Sequence, residues 1–394
     1  MSAAASTDET KAGIKKHSPV FLAVFAVFLI ATTICAVGTV LGILGARLAH
    51  HDTQWYWASG QLLIHHGNPY SEEAVHRMQA SAGVPVYGSD VLRYPPTALF
   101  LMTPLALLGP RAGVVAWSLL MAAFLALSLL AIQAMLGPAF DRKYLLLAWF
   151  FAPTLCCIEM GQTGVILLLG LALFLRFHNS RPLWAGAALS LCAVKPHLFL
   201  PFGVVLLAWI ATRRRWGILW GALLALAVES AFAMAFDPAV WMHYRTAMLT
   251  QVFEYAPTLG VELRLLMDRT AMWLQFVPAA VGCVWGLWYF MRNRERWDWR
   301  THGSILTLVS LVVAPFAWFT DQVLAIPAIL FVLLGPRRGS LTLLLAIMSA
   351  GAIEMMSTST LLFWPYLWQG LAWLAWYVYA ASGTAPVDDA LAVG

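Results

Sequence analysis

Apolar residues fall along this chain in long runs separated by short polar breaks. The runs cover 19–46, 112–136, 144–160, 163–177, 183–211, 216–236, 271–291, 302–318, 322–335, 340–357 and 361–381. The first is long enough to cross a hydrocarbon layer about 30 Å thick, while several others need tilt or packing to do so. The pattern predicts an all-α, polytopic bundle of transmembrane helices.

The run 183–211 is long for one crossing and is interrupted by "VKPHLFLP". Arg176 and Arg181 precede it, and Arg213, Arg214 and Arg215 follow it. A single crossing would place one of these clusters outside, whereas two short helices meeting at Lys195-Pro196 keep both inside. That choice gives about twelve crossings with both termini cytoplasmic. Sixteen of the 24 Lys and Arg residues then face the cytoplasm, from Lys11, Lys15 and Lys16 through Arg337 and Arg338. The expected organisation is a cytoplasmic tail at 1–18, a single integral membrane domain at 19–381 and a second tail at 382–394.

Two long external segments interrupt the rhythm, 47–111 and 237–270. Within the first, "QWYWASGQLLI" reads as an amphipathic helix lying at the interface, and "RYPPTALFLMTPLALLGP" as a re-entrant or surface-lying segment. No internal repeat is visible.

Composition removes the soluble alternatives. Hydrophobic residues make up 61% of the chain and charged ones 11%, against roughly a quarter in ordinary soluble domains. A cleaved signal peptide is not expected, because the first apolar run far exceeds the usual length of about 7 to 15 residues. The net charge of +5 comes from basic residues that punctuate apolar runs, a topology signal and not a nucleic-acid patch. Cys35, Cys156, Cys157, Cys192 and Cys283 lie in apolar segments without ligand spacing, so neither a disulfide framework nor a metal site is expected.

The same topology carries Asp52, Glu159, Gln162, Lys195, Glu229, Asp321 and Glu354 to the outer face or outer half of the membrane, although none was used to choose it. A charge near the bilayer centre costs at least about 2.5 kcal/mol, so their convergence predicts one polar site. Asp52, in "HDTQWYW", stands where a general base would meet water beside aromatic rings, or is an interfacial aspartate in an aromatic belt. Lys195, in "CAVKPHL", either binds a phosphate or is neutralised by an internal acid such as Glu159 or Asp321. His197 assists it or is structural. "IEMGQTG" presents Glu159 and Gln162 at a turn, and Asp321 in "APFAWFTDQ" is a helix cap or a cavity acid. Arg93 and Arg264 either clamp phosphate or anchor at headgroups.

In order, "DTQWYWASGQLLIHHGNPY", "RYPPTALFLMTPLALLG", "GQTGVILLL" and "AVKPHLFLPF" resemble glycosyltransferase family 87, membrane enzymes of the GT-C fold that include polyprenyl-phosphate-mannose-dependent mannosyltransferases. The likeness runs from about residue 50 to 330. It implies inverting hexose transfer from a polyprenyl-phosphate sugar to a lipid or glycan hydroxyl, on the extracytoplasmic side of a bacterial cell membrane. Asp52 matches the family's first-loop aspartate, the base, and Lys195 its donor-phosphate lysine, with Arg93, Arg264 or His197 assisting. Gln162 falls on the family's "GQ" turn. Gln162, Glu159, Asp321, Trp55, Tyr56 and Tyr94 would contact substrate, and Trp57 would pack beside them. Many relatives carry histidine where this chain places Asp321. The scheme requires no metal or other cofactor, and its partners are the lipid-linked donor, the acceptor and membrane lipids, with no nucleic acid. A transporter or flippase is the competing expectation, but it would carry polar groups on both faces of its path. A non-catalytic membrane subunit is the third, and leaves Asp52 and Lys195 without a purpose.

Overall fold

A computed structural model describes residues 52–84, 86, 92–138, 140–250, 256–333 and 367–381. The expected crossings at 19–46 and 340–357, Glu354 and both tails lie outside the described residues. Among the described residues every regular element is helical. Four helical stretches there are long and apolar enough to cross a membrane: Pro110–Leu136, Pro196–Arg213, Trp216–Phe236 and Met272–Arg296. Trp216–Phe236 buries little beyond Ile218, Gly221 and Ala233, while Trp220 and Leu224 stand 63% and 66% exposed. A helix this apolar with so much uncovered surface suits hydrocarbon as its solvent.

The run 183–211 divides where its proline predicts. Helix Pro182–Leu189 tightens into a 3-10 turn at Leu191–Val194 and stops at Lys195, whose φ of −132° and ψ of 70° are not helical. Pro196 lacks an N–H and forces the residue before it out of the helical region, and the chain resumes as Leu200–Arg213. The run 144–160 is also broken, into Leu145–Trp149 and Ala152–Glu159.

Two of the basic clusters, at Arg213–Arg215 and at Arg292–Arg300, meet at one end of the bundle. Arg213 donates from Nη2 to the Arg294 carbonyl at 2.6 Å. The loop carrying Arg294 sends Trp299 into the core, with its ring 5.1 Å from those of Phe174 and Phe202 and 5.5 Å from that of Trp209. The Tyr377 hydroxyl donates to the Thr301 carbonyl at 3.1 Å and brings the end of helix Leu367–Ala381 to the same region. Lys195 lies beyond the opposite end of Leu200–Arg213, a helix of 14 residues and so about 21 Å long.

One expectation for the segment 47–111 needs correction. Thr53–Ile64 is helical but is not a half-wetted interfacial helix: Thr53, Gln54, Tyr56, Trp57, Ala58, Ser59, Gly60 and Leu63 are all buried. The proline-broken stretch that follows, Pro96–Ala98, Leu99–Met102 and Thr103–Leu107, covers it. Gln61 donates to the Ala106 carbonyl at 2.6 Å and the Trp57 indole to that of Leu108 at 2.8 Å. Gly60 permits this packing, because a Cβ there would meet the Met102 carbonyl oxygen at 3.3 Å.

A very close helix crossing joins Pro182–Leu189 to Trp216–Phe236. A Cβ on Gly186 would sit 1.9 Å from the Ile218 oxygen, and one on Gly221 would sit 2.1 Å from the Leu183 oxygen. Backbone blocks both, and backbone cannot swing aside as a side chain does. Gly186→Ala should therefore lower stability by about 3 kcal/mol, the upper range for overpacking. Gly203→Ala, with nothing within 4 Å, should be neutral or slightly stabilising. Thermal unfolding in detergent compares the two, and equal midpoints would show that the glycine contact is not needed.

Candidate active site

The "IEMGQTG" turn organises the polar residues. Helix Ala152–Glu159 ends at Met160, and Gly161 takes a φ of +72°, which only glycine adopts without strain. The reversal is closed by the Gln162 N–H donating to the Cys157 carbonyl at 2.8 Å and by the Trp117 indole donating to the Gly161 carbonyl at 2.9 Å. Gly164 then lets Phe319–Ala325 approach, since a Cβ there would meet the Thr320 oxygen at 2.8 Å. One turn therefore touches the segments carrying Asp52 and Asp321.

Asp52 precedes Thr53–Ile64, and its N–H donates to the Met160 carbonyl at 2.9 Å. The Gln162 amide nitrogen donates to Asp52 Oδ2. The Gln162 carbonyl oxygen accepts from Lys195 Nζ at 3.0 Å and from the Tyr94 hydroxyl at 3.4 Å. Lys195 Nζ also donates to Asp321 Oδ1 at 2.7 Å, while Asp321 Oδ2 accepts from the Trp318 N–H at 2.9 Å. This orientation of the Gln162 amide is the only one that serves both ends, because a carboxylate needs a donor and an ammonium needs an acceptor. Asp52, Lys195 and Asp321 are 7%, 5% and 1% exposed. Such burial of charge is tolerable only because each group is paired.

Tyrosines close the site. Asn68 in "GNPY" accepts from the Tyr70 N–H at 2.9 Å, fixing the turn, and the Tyr70 hydroxyl holds the Tyr94 carbonyl at 2.9 Å. The Tyr94 hydroxyl lies 3.2 Å from that of Tyr56, and its ring lies 5.8 Å from the Lys195 ammonium. Burial raises the pKa of both phenols above the ordinary tyrosine value, so both stay protonated at neutral pH. Tyr70 was not among the sequence candidates. Its signal is the asparagine-proline turn before it, which aims the ring at the "YPP" segment.

The other candidates are distributed around this network. Asp321 is the internal acid that pairs Lys195, and it reaches back to Trp318 as well. His197 is half-buried, with its ring 5.6 Å from that of Phe316. Glu159 is half-buried beside Met160, Trp55 is half-buried and Arg93 is exposed next to Tyr94. Trp57 is committed to Leu108. Arg264 is fully buried and clips its own segment, with Nη1 at 3.0 Å from the Arg269 carbonyl and 3.1 Å from the Met272 sulfur. Glu229 accepts from the Ser190 hydroxyl at 2.6 Å, at the glycine crossing.

The sequence model of glycosyltransferase family 87 matches residues 92–315, more than half of the chain. This protein belongs to glycosyltransferase family 87. No curated protein and no solved structure matches it. Tyr94, Gln162 and Lys195 fall inside the matched residues, while Asp52 and Asp321 flank them. With its apolar helices, the family member is a membrane glycosyltransferase.

Lys195→Met should leave Asp321 buried without its cation and cost about 3 to 5 kcal/mol, whereas the double variant Lys195→Met/Asp321→Leu should recover much of that loss. Thermal midpoints of the purified full chain measure both. A single variant as stable as the parent would show that the pair does not hold the fold.

Proposed function

We propose that this membrane glycosyltransferase moves a hexose, with mannose the first candidate, from a polyprenyl-phosphate donor to a hydroxyl of a lipid or glycan acceptor, inverting the anomeric centre. The observation that carries the reading is the single Gln162 side chain bridging Asp52 to Lys195. The amide lies between the two, so that in this reading Asp52 takes the acceptor's proton on one side while Lys195 addresses the leaving phosphate on the other.

In this scheme the acceptor oxygen attacks C1 from the face opposite the phosphate, its proton passes to Asp52, and the C1–O bond breaks with its electrons going to the phosphate. Two of the three Lys195 N–H groups are committed, to Gln162 and Asp321, and the third serves the phosphate oxygen. Asp321 fixes the direction of that ammonium. Arg93, exposed and next to Tyr94 in sequence, is the proposed second cation, and cationic N–H groups suffice for a monophosphate leaving group without a metal or other cofactor.

The outer leaflet is the proposed working face. Arg213 and its partner loop at Arg294 lie at the other end of Leu200–Arg213 from Lys195, and basic clusters of this kind mark the cytoplasmic side. A scaffold of about twelve crossings in the GT-C manner, in a bacterial cell membrane, completes the proposal.

Asp52→Asn should keep the fold and donor binding and lower transfer at least about 10²-fold, the contribution of a positioned base. Radiolabelled polyprenyl-phosphate-mannose and envelope lipid acceptors, supplied to the protein in nanodiscs, provide the assay. Transfer at the parental rate would remove Asp52 from the mechanism.

A further inference from the structure

The far end of Leu200–Arg213 from Lys195 carries a surface that the proposed chemistry does not use. Three arginines in succession, Arg213–Arg215, turn the chain there, and four more run from Arg292 to Arg300 after Val277–Asn293. Arg213 ties the two turns together, with Nη2 donating to the Arg294 carbonyl at 2.6 Å and to that of Glu295 at 3.4 Å. Six of the seven arginines are exposed, and none forms an ion pair among the described residues. Little negative charge lies within these turns to offset them. Glu295 is exposed, and Asp298 is engaged by the Thr301 N–H at 3.0 Å and the Thr301 hydroxyl at 3.2 Å at the start of Thr301–Val313. The C-termini of Leu200–Arg213 and Val277–Asn293 add only about half a negative charge each. Like charges repel, so a fold that joins two arginine-rich turns is suited to an anion held across them.

The flanking indoles select the source of that anion. Trp216 opens the lipid-exposed helix Trp216–Phe236 and Trp288 lies near the end of Val277–Asn293, and they are 47% and 56% exposed. The Arg292 guanidinium lies 5.8 Å from the Trp288 ring. Exposed indoles at the ends of membrane helices sit at headgroup level, which sets the neighbouring arginines among lipid phosphates and not out in water. A guanidinium matches phosphate oxygens with two parallel N–H groups. We propose that this two-turn surface binds the phosphate headgroups of anionic phospholipids and so fixes the depth of the bundle in its membrane. The inference needs the membrane setting alone and holds whichever sugar is moved.

Native mass spectrometry of the full chain in detergent, titrated with phosphatidylglycerol or phosphatidylcholine, provides the test. The parent is expected to retain phosphatidylglycerol in preference. Raising ammonium acetate from about 0.1 M to about 1 M, which shortens the Debye length from about 10 Å to about 3 Å, should erase that preference. Arg214→Gln/Arg294→Gln/Arg296→Gln should lower it at least tenfold, since each arginine at a membrane surface is worth about fivefold. Arg214→Gln and Arg296→Gln are also read singly, with about fivefold expected of each, should the triple variant not fold. Arg111→Gln/Arg245→Gln/Arg269→Gln removes the same charge from exposed positions elsewhere and should leave the preference unchanged. Equal retention of the two lipids by the parent, or equal losses in the two triple variants, overturns the proposal. Displacement of the lipid by inorganic phosphate at matched ionic strength would assign the surface to a soluble anion and overturn it as well.

Discussion

Burying one ammonium and two carboxylates at the end of an apolar bundle is the constraint around which this structure is arranged. Each ion loses several kcal/mol of hydration, and mutual attraction repays this only where distances and hydrogen bonds are well satisfied. Lys195 meets Asp321 at 2.7 Å, and the remaining capacity of Asp321 is taken by the Trp318 N–H. The Gln162 amide then joins this pair to Asp52 without adding charge. Asp52 sits at the start of Thr53–Ile64, where the positive helix end favours an anion.

Much of the surrounding backbone follows from this constraint. The Lys195-Pro196 break falls at the residue whose ammonium joins the network. Gly161 and Gly164 permit a tight reversal and a close contact with Phe319–Ala325. The aromatic residues serve mainly as walls: Trp117 holds the turn, Trp57 holds the covering segment, and Tyr70 holds Tyr94. Rigid placement of first-contact residues by such supports is what keeps a catalytic spacing constant.

How much of this was legible in the sequence depends on the type of signal. Lys195, Asp52 and Gln162 were visible because a polar residue inside or beside an apolar run is expensive and therefore conspicuous. The break at Lys195 was visible because proline has one backbone consequence. Which acid pairs Lys195 is not visible, since Glu159 and Asp321 both fall in turns expected to face outward, and the packing of Phe319–Ala325 against Gly164 that brings Asp321 in depends on tertiary contacts. The burial of Thr53–Ile64 was hidden for a different reason: alternating aromatic and polar residues look the same whether they face headgroups or a proline-broken segment that folds over them. Arg264 likewise reads as a phosphate clamp in sequence, although its guanidinium is engaged by a carbonyl and a sulfur within ten residues.

The central claim is that Asp52 and Lys195, spaced by Gln162, address the two sides of one breaking glycosidic bond. Cryo-electron microscopy of the Asp52→Asn variant in nanodiscs, loaded with a polyprenyl-phosphate sugar, tests it most directly. The account predicts phosphate density within hydrogen-bond reach of Lys195 Nζ and the sugar's C1 between that phosphate and residue 52. Density for the phosphate elsewhere, with the Lys195–Gln162–Asp321 contacts unchanged, would contradict it.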